Sequence, residues 1–212
     1  MGILYHIRKE YCSEELLEKN VPKNPFDLFH NWFEQATESN VVIEPNAMAL
    51  ATVNSDGKVS NRMVLLKSFD KEGFVFFTNY RSRKARDLDE NHFASTLFFW
   101  HALERQVRIE GYIGKISDQE SLQYFNSRPR ESQLGAWASP QSKEIPNREY
   151  IESAFADVQN KFALRIPRPE HWGGYRLIPD TFEFWQGRKN RLHDRIEYYL
   201  DKGSWNLRRL AP

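Results

Sequence analysis

A chain of 212 residues with 30 basic and 29 acidic side chains has a formal net charge of +1, which gives no overall field for nucleic acid or an anionic membrane. With 40% apolar and 14% aromatic residues it can bury a sizeable core, and the length fits one large domain better than two small ones. A single cysteine, Cys12, excludes an intrachain disulfide and cannot hold a metal alone.

The first residues lack the long apolar run of a secretory signal. Met1-Gly2 resembles a myristoylation start, but His6 stands where Ser or Thr is required. Leu97-Phe98-Phe99-Trp100 is far too short to span a bilayer. The expected location is the cytoplasm, with no membrane and no nucleic-acid partner.

Residues 1–23 read as an extended arm and 24–212 as one domain. Pro25 opens a helix at its favoured first position, with Phe26, Phe29 and Phe33 on one stripe widened by Leu28, Trp32 and Ala36. Ala47–Val53 reads as a strand, Ser55-Asp56-Gly57-Lys58 as a hairpin turn, and Val59–Lys67 as the next strand. Asp70–Gly73 is a second turn before a strand at Phe74–Thr78. Ser82–Asn91 reads as a short helix. Ser95–Trp100 and Gln106–Ile116 form a strand pair. Ser117-Asp118-Gln119-Glu120 matches a capping box, so a helix starts there and ends near Pro129. Gly135–Ser142 reads as a polar loop. Ile151, Phe155, Val158 and Phe162 have helical spacing. Tyr175–Ile178, Thr181–Trp185, Ile196–Leu200 and Trp205–Leu210 close the chain as strands. Short strands with hairpin turns indicate a mainly β, antiparallel fold with peripheral helices. No GxGxxG follows a strand, which argues against a dinucleotide fold.

Three clusters carry phosphate-binding chemistry. Arg62 and Lys67 bracket an apolar strand and fall on opposite faces unless a bulge intervenes. Arg83 and Lys84 stand in the first turn of a helix capped by Ser82, where cations oppose the helix dipole unless an anion is bound. Tyr124 and Arg128 are i, i+4 neighbours, Pro129 stops the helix, and Ser132 can return a hydroxyl to the same place. Near the C-terminus, Arg191 and His193 alternate in a short extended segment, and Asp194 can pair Arg195 or orient His193. The six histidines have no metal-ligand spacing, so no metal is expected, and no GxSxG elbow is present. Phosphate-grade clusters without a nucleophile or metal suit a borrowed cofactor.

RMVLLK (62–67), FTNYRSRKARDL (77–88), FFWHALERQVRIEG (98–111), YFNSRPRESQLGAWASPQS (124–142), WGGYRL (172–177), FWQG with RLHDR (184–195) and RRLAP (208–212) resemble the pyridoxine/pyridoxamine 5′-phosphate oxidase family. The resemblance runs in order from about Arg8 to Pro212. It implies an antiparallel split β-barrel that binds FMN and works as a homodimer with FMN at the subunit interface. It also implies oxidation of pyridoxine 5′-phosphate or pyridoxamine 5′-phosphate to pyridoxal 5′-phosphate, with O2 reduced to hydrogen peroxide.

By the same resemblance, the flavin contacts are Arg62, Met63, Val64, Leu65, Leu66, Lys67, Phe77, Thr78, Arg83, Lys84, Gln106, Gln141, Ser142, Trp185 and Arg195. Phe77 replaces a tyrosine of the family's pattern and so lacks a hydroxyl. Lys67, Tyr124, Arg128 and Ser132 match the substrate phosphate clamp. Arg191, Leu192 and His193 match residues over the substrate ring, with Arg191 and His193 as the catalytic pair. Arg8 and Tyr11 of RKEY match a segment that folds over the substrate. Two alternatives are a related split-barrel flavin oxidase acting on another reduced ring, and a non-enzymatic flavin- or pyridoxal-phosphate-binding protein.

Overall fold

The structure, a computed structural model, describes residues 10–11 and 15–212, so Arg8 and Cys12 lie outside the described residues. In chain order the elements are α1 (Pro25–Glu38), β1 (Ala47–Val53), β2 (Val59–Leu65), β3 (Ser68–Asp70), β4 (Gly73–Asn79), α2 (Arg83–Glu90), β5 (Phe93–Trp100), β6 (Arg105–Lys115), α3 (Asp118–Ser127), α4 (Arg130–Ala138), α5 (Arg148–Lys161), β7 (Trp172–Gln186), β8 (Asp194–Asp201) and β9 (Ser204–Leu210). The strands form a nine-stranded sheet in the order β2-β1-β5-β6-β7-β4-β3, with β8 pairing both β7 and β9. The β3–β4, β4–β7, β7–β8 and β8–β9 pairs are all antiparallel. The expected class, mainly β and antiparallel with peripheral helices, is the one the chain adopts.

The chain divides into two compact units. The first comprises the chain up to Leu50, Ser95–Gly111 and Pro179–Pro212. Helix α1 supplies much of its core. Asn24 caps the helix by accepting from the Phe26 N–H, and Pro25 occupies the first turn, where its missing N–H costs nothing. The buried stripe is Leu28, Phe29, Trp32 and Ala36, while Phe26 and Phe33 are half-buried at its edges. The apolar face is therefore turned from the one centred on Phe26, Phe29 and Phe33. Phe29 packs edge-on against Phe98 at 5.1 Å, and Trp32 against Phe184 at 5.3 Å. Strands β8 and β9 join through Lys202-Gly203, both at positive φ (49° and 79°), the requirement of a two-residue hairpin turn between twisted strands.

The second unit comprises Ala51–Ala94 and Tyr112–Ile178. Three local features depart from the sequence pattern. Strand β2 ends at Leu65, and Ser68–Asp70 forms a separate short strand that pairs with Gly73–Val75. The polar-looking stretch from Gly135 begins as the last turn of helix α4, whose Leu134 is buried with Phe125, Ile166 and Trp172. Strand β7 continues through Pro179, because that residue falls between the stretch paired with β4 (Trp172–Leu177) and the one paired with β8 (Thr181–Gln186). The capping box at Ser117 forms as expected: its hydroxyl accepts from the Glu120 N–H, and the Glu120 carboxylate accepts from the Ser117 N–H.

Candidate functional site

The second unit holds a cavity of about 980 Å³ lined from β2, β4, α2 and the α3–α4 segment. Arg62, Met63, Val64 and Leu65 of β2 line it together with Lys67. Strict alternation would send Arg62 and Lys67 to opposite faces. The strand instead ends at Leu65, and the Lys67 N–H bonds to the Val75 carbonyl at 2.8 Å, so both cations reach one cavity. Leu66 of the same stretch is buried and does not line it.

One part of the cavity wall is cationic. Arg83 and Lys84 begin α2, a helix with no acidic residue in its first turn and no side-chain cap from Ser82. Its first N–H groups and two cations share one terminus, which favours an anion. Lys84 is 7% exposed. Its ammonium donates to Thr78 Oγ1 at 3.0 Å and Ser82 Oγ at 3.4 Å, both neutral hydroxyls. Burial, reinforced by nearby Arg62, pushes its pKa down to about 8. Thr78 passes its own proton to Gln141 Oε1 at 3.2 Å, which also accepts from the Asn79 N–H. Ser142, next to Gln141 and also lining the cavity, is held at φ 68°.

Tyr124, Arg128 and Ser132 are also on the cavity wall, and Lys67 and Tyr124 line a further recess together. Helix α3 stops at Ser127, and Arg128 is its extended C-cap, so Tyr124 and Arg128 converge across a helix end rather than along a helical face. The Tyr124 ring stacks on Phe77 at 3.9 Å. The Arg128 guanidinium lies over Trp172, and its Nη1 is buried with no hydrogen-bond partner among the described residues. Burial pushes its pKa below the ordinary arginine value. A buried guanidinium N–H without an acceptor is costly, and an anion satisfies it.

A separate cluster sits in the first unit. His193 lies 4.7 Å from Trp185 and 5.6 Å from Tyr11, ring to ring, and Tyr11 meets Trp185 edge-on at 5.7 Å. The His193 Nδ1 accepts from the Arg188 N–H at 3.1 Å, which leaves the proton of the neutral ring on Nε2. Burial, then the Arg191 charge, pushes the His193 pKa below its ordinary value. Arg191 and His193 do not alternate along an extended segment. Lys189–Arg191 is a 3-10 turn in which Asn190 and Arg191 both take positive φ (57° and 62°), and Arg191 and Leu192 are exposed. Asp194 pairs neither Arg195 nor His193: it accepts from Arg209 at 2.7 Å and from the Leu16 N–H at 3.1 Å. Arg195 donates instead to Glu183 at 2.7 Å and to the Ala211 carbonyl. Gln106 lies half-buried on β6 in this unit.

Several wall residues carry no sequence signal of their own, notably Ser60, Asn61 and Trp172. Ser60 is recoverable in hindsight, two residues before Arg62 and so on the same face of β2. Trp172 is separated from Arg128 by 44 residues of chain, and only the folded core brings them together.

A family model described as Pyridoxamine 5′-phosphate oxidase matches residues 35–162. A second, described as Pyridoxine 5′-phosphate oxidase C-terminal dimerisation region, matches residues 172–212. A pyridoxine/pyridoxamine 5′-phosphate oxidase from Polynucleobacter asymbioticus is 52% identical over 212 residues, covering 100% of both chains. One from Nostoc punctiforme is 54% identical over 208 residues, 97% of each chain. Among solved structures, PhzG from Burkholderia lata in complex with tetrahydrophenazine-1-carboxylic acid matches with a TM-score of 0.89 at 33% identity, over 94% of this chain and 99% of that one. A pyridoxamine 5′-phosphate oxidase-related, FMN binding protein from Nostoc punctiforme shares the fold, with a TM-score of 0.71 at 18% identity over 91% of this chain and 100% of that one.

Proposed function

The chain belongs to the pyridoxamine 5′-phosphate oxidase family of split-barrel oxidoreductases, and from that premise we propose that it is an FMN-dependent oxidase. It converts pyridoxine 5′-phosphate or pyridoxamine 5′-phosphate to pyridoxal 5′-phosphate as a homodimer with FMN at the subunit interface. O2 takes up two electrons and two protons to become hydrogen peroxide. The amine substrate also consumes water and releases ammonia.

One observation supports this above the rest. A single cavity is lined by two sets of anion-seeking groups: Arg62 with Arg83 and Lys84 near it, and Lys67 and Arg128, each near Tyr124. Two phosphates, one on a cofactor and one on a substrate, need such an arrangement, and a ligand without phosphate does not. The volume also suits two small molecules together. The buried Arg128 Nη1 and the Lys84 ammonium, which donates to two hydroxyls, fit phosphorylated ligands on chemical grounds.

FMN, when bound, supplies a ring that accepts a hydride equivalent from the substrate carbon. Arg62, Arg83, Lys84, Thr78, Gln141 and Ser142 hold it by phosphate and polar contacts, while Met63, Val64, Leu65 and Phe77 give an apolar wall. Lys67, Tyr124, Arg128 and Ser132 anchor the substrate phosphate, which fixes the reacting carbon in place and so converts binding energy into positioning. The family resemblance assigns Trp185, Arg195, Gln106, Leu66 and Lys67 to further flavin contacts, and Arg191, Leu192 and His193 to the substrate ring. His193, neutral with Nε2 protonated, would donate a hydrogen bond there, and Arg191 would press on that ring and position the reacting carbon for transfer. Tyr11, packed edge-on against Trp185 and His193, would border the same ring.

Anaerobic mixing of FMN-loaded protein with pyridoxine 5′-phosphate tests this directly. Loss of the visible flavin absorbance, restored by air with formation of hydrogen peroxide, is the expected result. Protein that binds FMN but keeps its colour with both phosphorylated vitamers sinks the oxidase reading. The likeness to PhzG favours a second reading, oxidation of another reduced ring. Bleaching by an unphosphorylated reduced ring but not by either vitamer selects it.

A further inference from the structure

Three side chains to which the family resemblance assigns no role, Thr52, Ser60 and Asp87, hold the Arg62 guanidinium. Its Nη1 donates to Thr52 Oγ1 at 2.7 Å, and its Nη2 donates to Ser60 Oγ and faces Asp87 Oδ2 at 3.6 Å. Thr52 and Ser60 donate to that same Asp87 oxygen, at 2.6 and 2.8 Å. Thr52 is fully buried and Asp87 is 6% exposed. Asp87 belongs to α2, one turn beyond Arg83 and Lys84 at its start.

The donor and acceptor inventory allows one proton arrangement. A carboxylate only accepts and a guanidinium only donates. Each hydroxyl therefore gives its single proton to Asp87 and turns a lone pair to Arg62. Asp87 sets the orientation of both hydroxyls, and they set the orientation of Arg62. Three cations, Arg62, Arg83 and Lys84, line this part of the cavity beside one carboxylate. A phosphate dianion there brings the local charge to zero.

We propose that Asp87, acting with Thr52 and Ser60, is a positioning residue that aims Arg62 at the phosphate of FMN. The proposal rests on the reading of the cavity as a flavin site. It has a sign that simple electrostatics does not share. As a bare negative charge, Asp87 repels a phosphate, so its removal would tighten binding. As a positioning group, its removal loosens binding, because Arg62 loses the geometry that makes its hydrogen bonds strong.

Flavin-free full-length protein titrated with FMN and with riboflavin, followed by flavin fluorescence, separates the two. Riboflavin lacks the phosphate and serves as the internal reference. The wild type is read first: binding of neither flavin ends the flavin reading itself, whatever the variants do. If it binds FMN, Asp87→Asn is expected to weaken FMN by about tenfold or more, with riboflavin affinity held within about twofold. FMN affinity equal to or tighter than wild type overturns the proposal. An equal loss for both flavins overturns it as well, since that marks general damage to the site. Thr52→Val keeps every charge and removes only the hydroxyl relay. It is expected to weaken FMN by about threefold or more with riboflavin again unchanged, and it decides alone if Asp87→Asn does not fold.

Discussion

The Arg128 guanidinium carbon lies 4.6 Å from the centroid of the Trp172 ring. The stacking holds a planar cation by one face while its Nη1 stays without a hydrogen-bond partner among the described residues. Trp172 in turn is fixed in a core cluster with Phe125, Leu134 and Ile166. The aromatic ring therefore sets the plane of the guanidinium, and the edge is left for an incoming acceptor.

Arg128→Ala is accordingly expected to raise KM for pyridoxine 5′-phosphate by about ten- to a hundredfold, the loss of a charge-assisted hydrogen bond of roughly 1.5–3 kcal/mol, with kcat within a few-fold of wild type. Arg128→Lys recovers only part of the loss, because an ammonium neither stacks nor forks. Steady-state kinetics over a range of substrate concentration decides it. A fall in kcat with KM unchanged contradicts the anchoring role.

Lys84 gives a pH dependence of defined sign. Its pKa in the folded, ligand-free protein is pushed down to about 8 from an ordinary 10.5. The ammonium is therefore lost as pH rises through about 8, and FMN affinity falls over the same interval. Stability runs the other way. Burying the charged form is unfavourable below about pH 8, and the ligand-free protein gains stability as pH rises from there toward 10.5. FMN Kd and the ligand-free Tm, each measured one pH unit either side of 8, check the two slopes. Lys84→Met should flatten both.

The glycine pair of WGGYRL is a packing requirement. A Cβ at Gly173 would lie 2.1 Å from the Tyr80 hydroxyl oxygen, and one at Gly174 would lie 2.4 Å from Ile116 Cδ1. Tyr80 cannot easily withdraw, since its hydroxyl donates to the Gly174 carbonyl at 3.1 Å. Gly173→Ala is expected to cost about 1–3 kcal/mol, as overpacking does. Urea unfolding with an unchanged m-value measures it, and a variant as stable as the parent removes the explanation.

Glu183 is 3% exposed and accepts from Arg195 Nε and Arg108 Nη2, both at 2.7 Å. Its replacement by glutamine leaves two guanidinium groups facing a neutral amide. The arginine side chains are 29% and 38% exposed, so water recovers part of the loss. A destabilisation of about 2 kcal/mol is expected for Glu183→Gln, below the range for a fully buried pair. A urea midpoint unchanged from the parent would show that the pair contributes nothing.

Legibility followed the range of the interactions. The start of α1 at Pro25, the Ser117–Glu120 capping box and the span of β1 were readable because neighbours in sequence specify them. Helix α4 was not, since Gly135-Ala136-Trp137 has weak local preference and is held by packing on Phe125, Ile166 and Trp172. Arg62, Arg83, Lys84, Tyr124, Arg128 and Ser132 were each identifiable as phosphate-binding types. Asp87 and Thr52 were not, because a carboxylate on a charged helix and a threonine in a strand are ordinary until they meet across 35 residues.

What the sequence determined by itself was chemical inventory: which stretches alternate or turn, which side chains can bind phosphate, and that no disulfide forms within the chain. Tertiary structure decided convergence. The end of β2 at Leu65 put Lys67 beside Arg62 on one cavity wall, and burial took Lys84 down to a pKa of about 8. Position in sequence does not set the dielectric around a charge or the partner of a hydroxyl. Those depend on segments that approach only when the core closes.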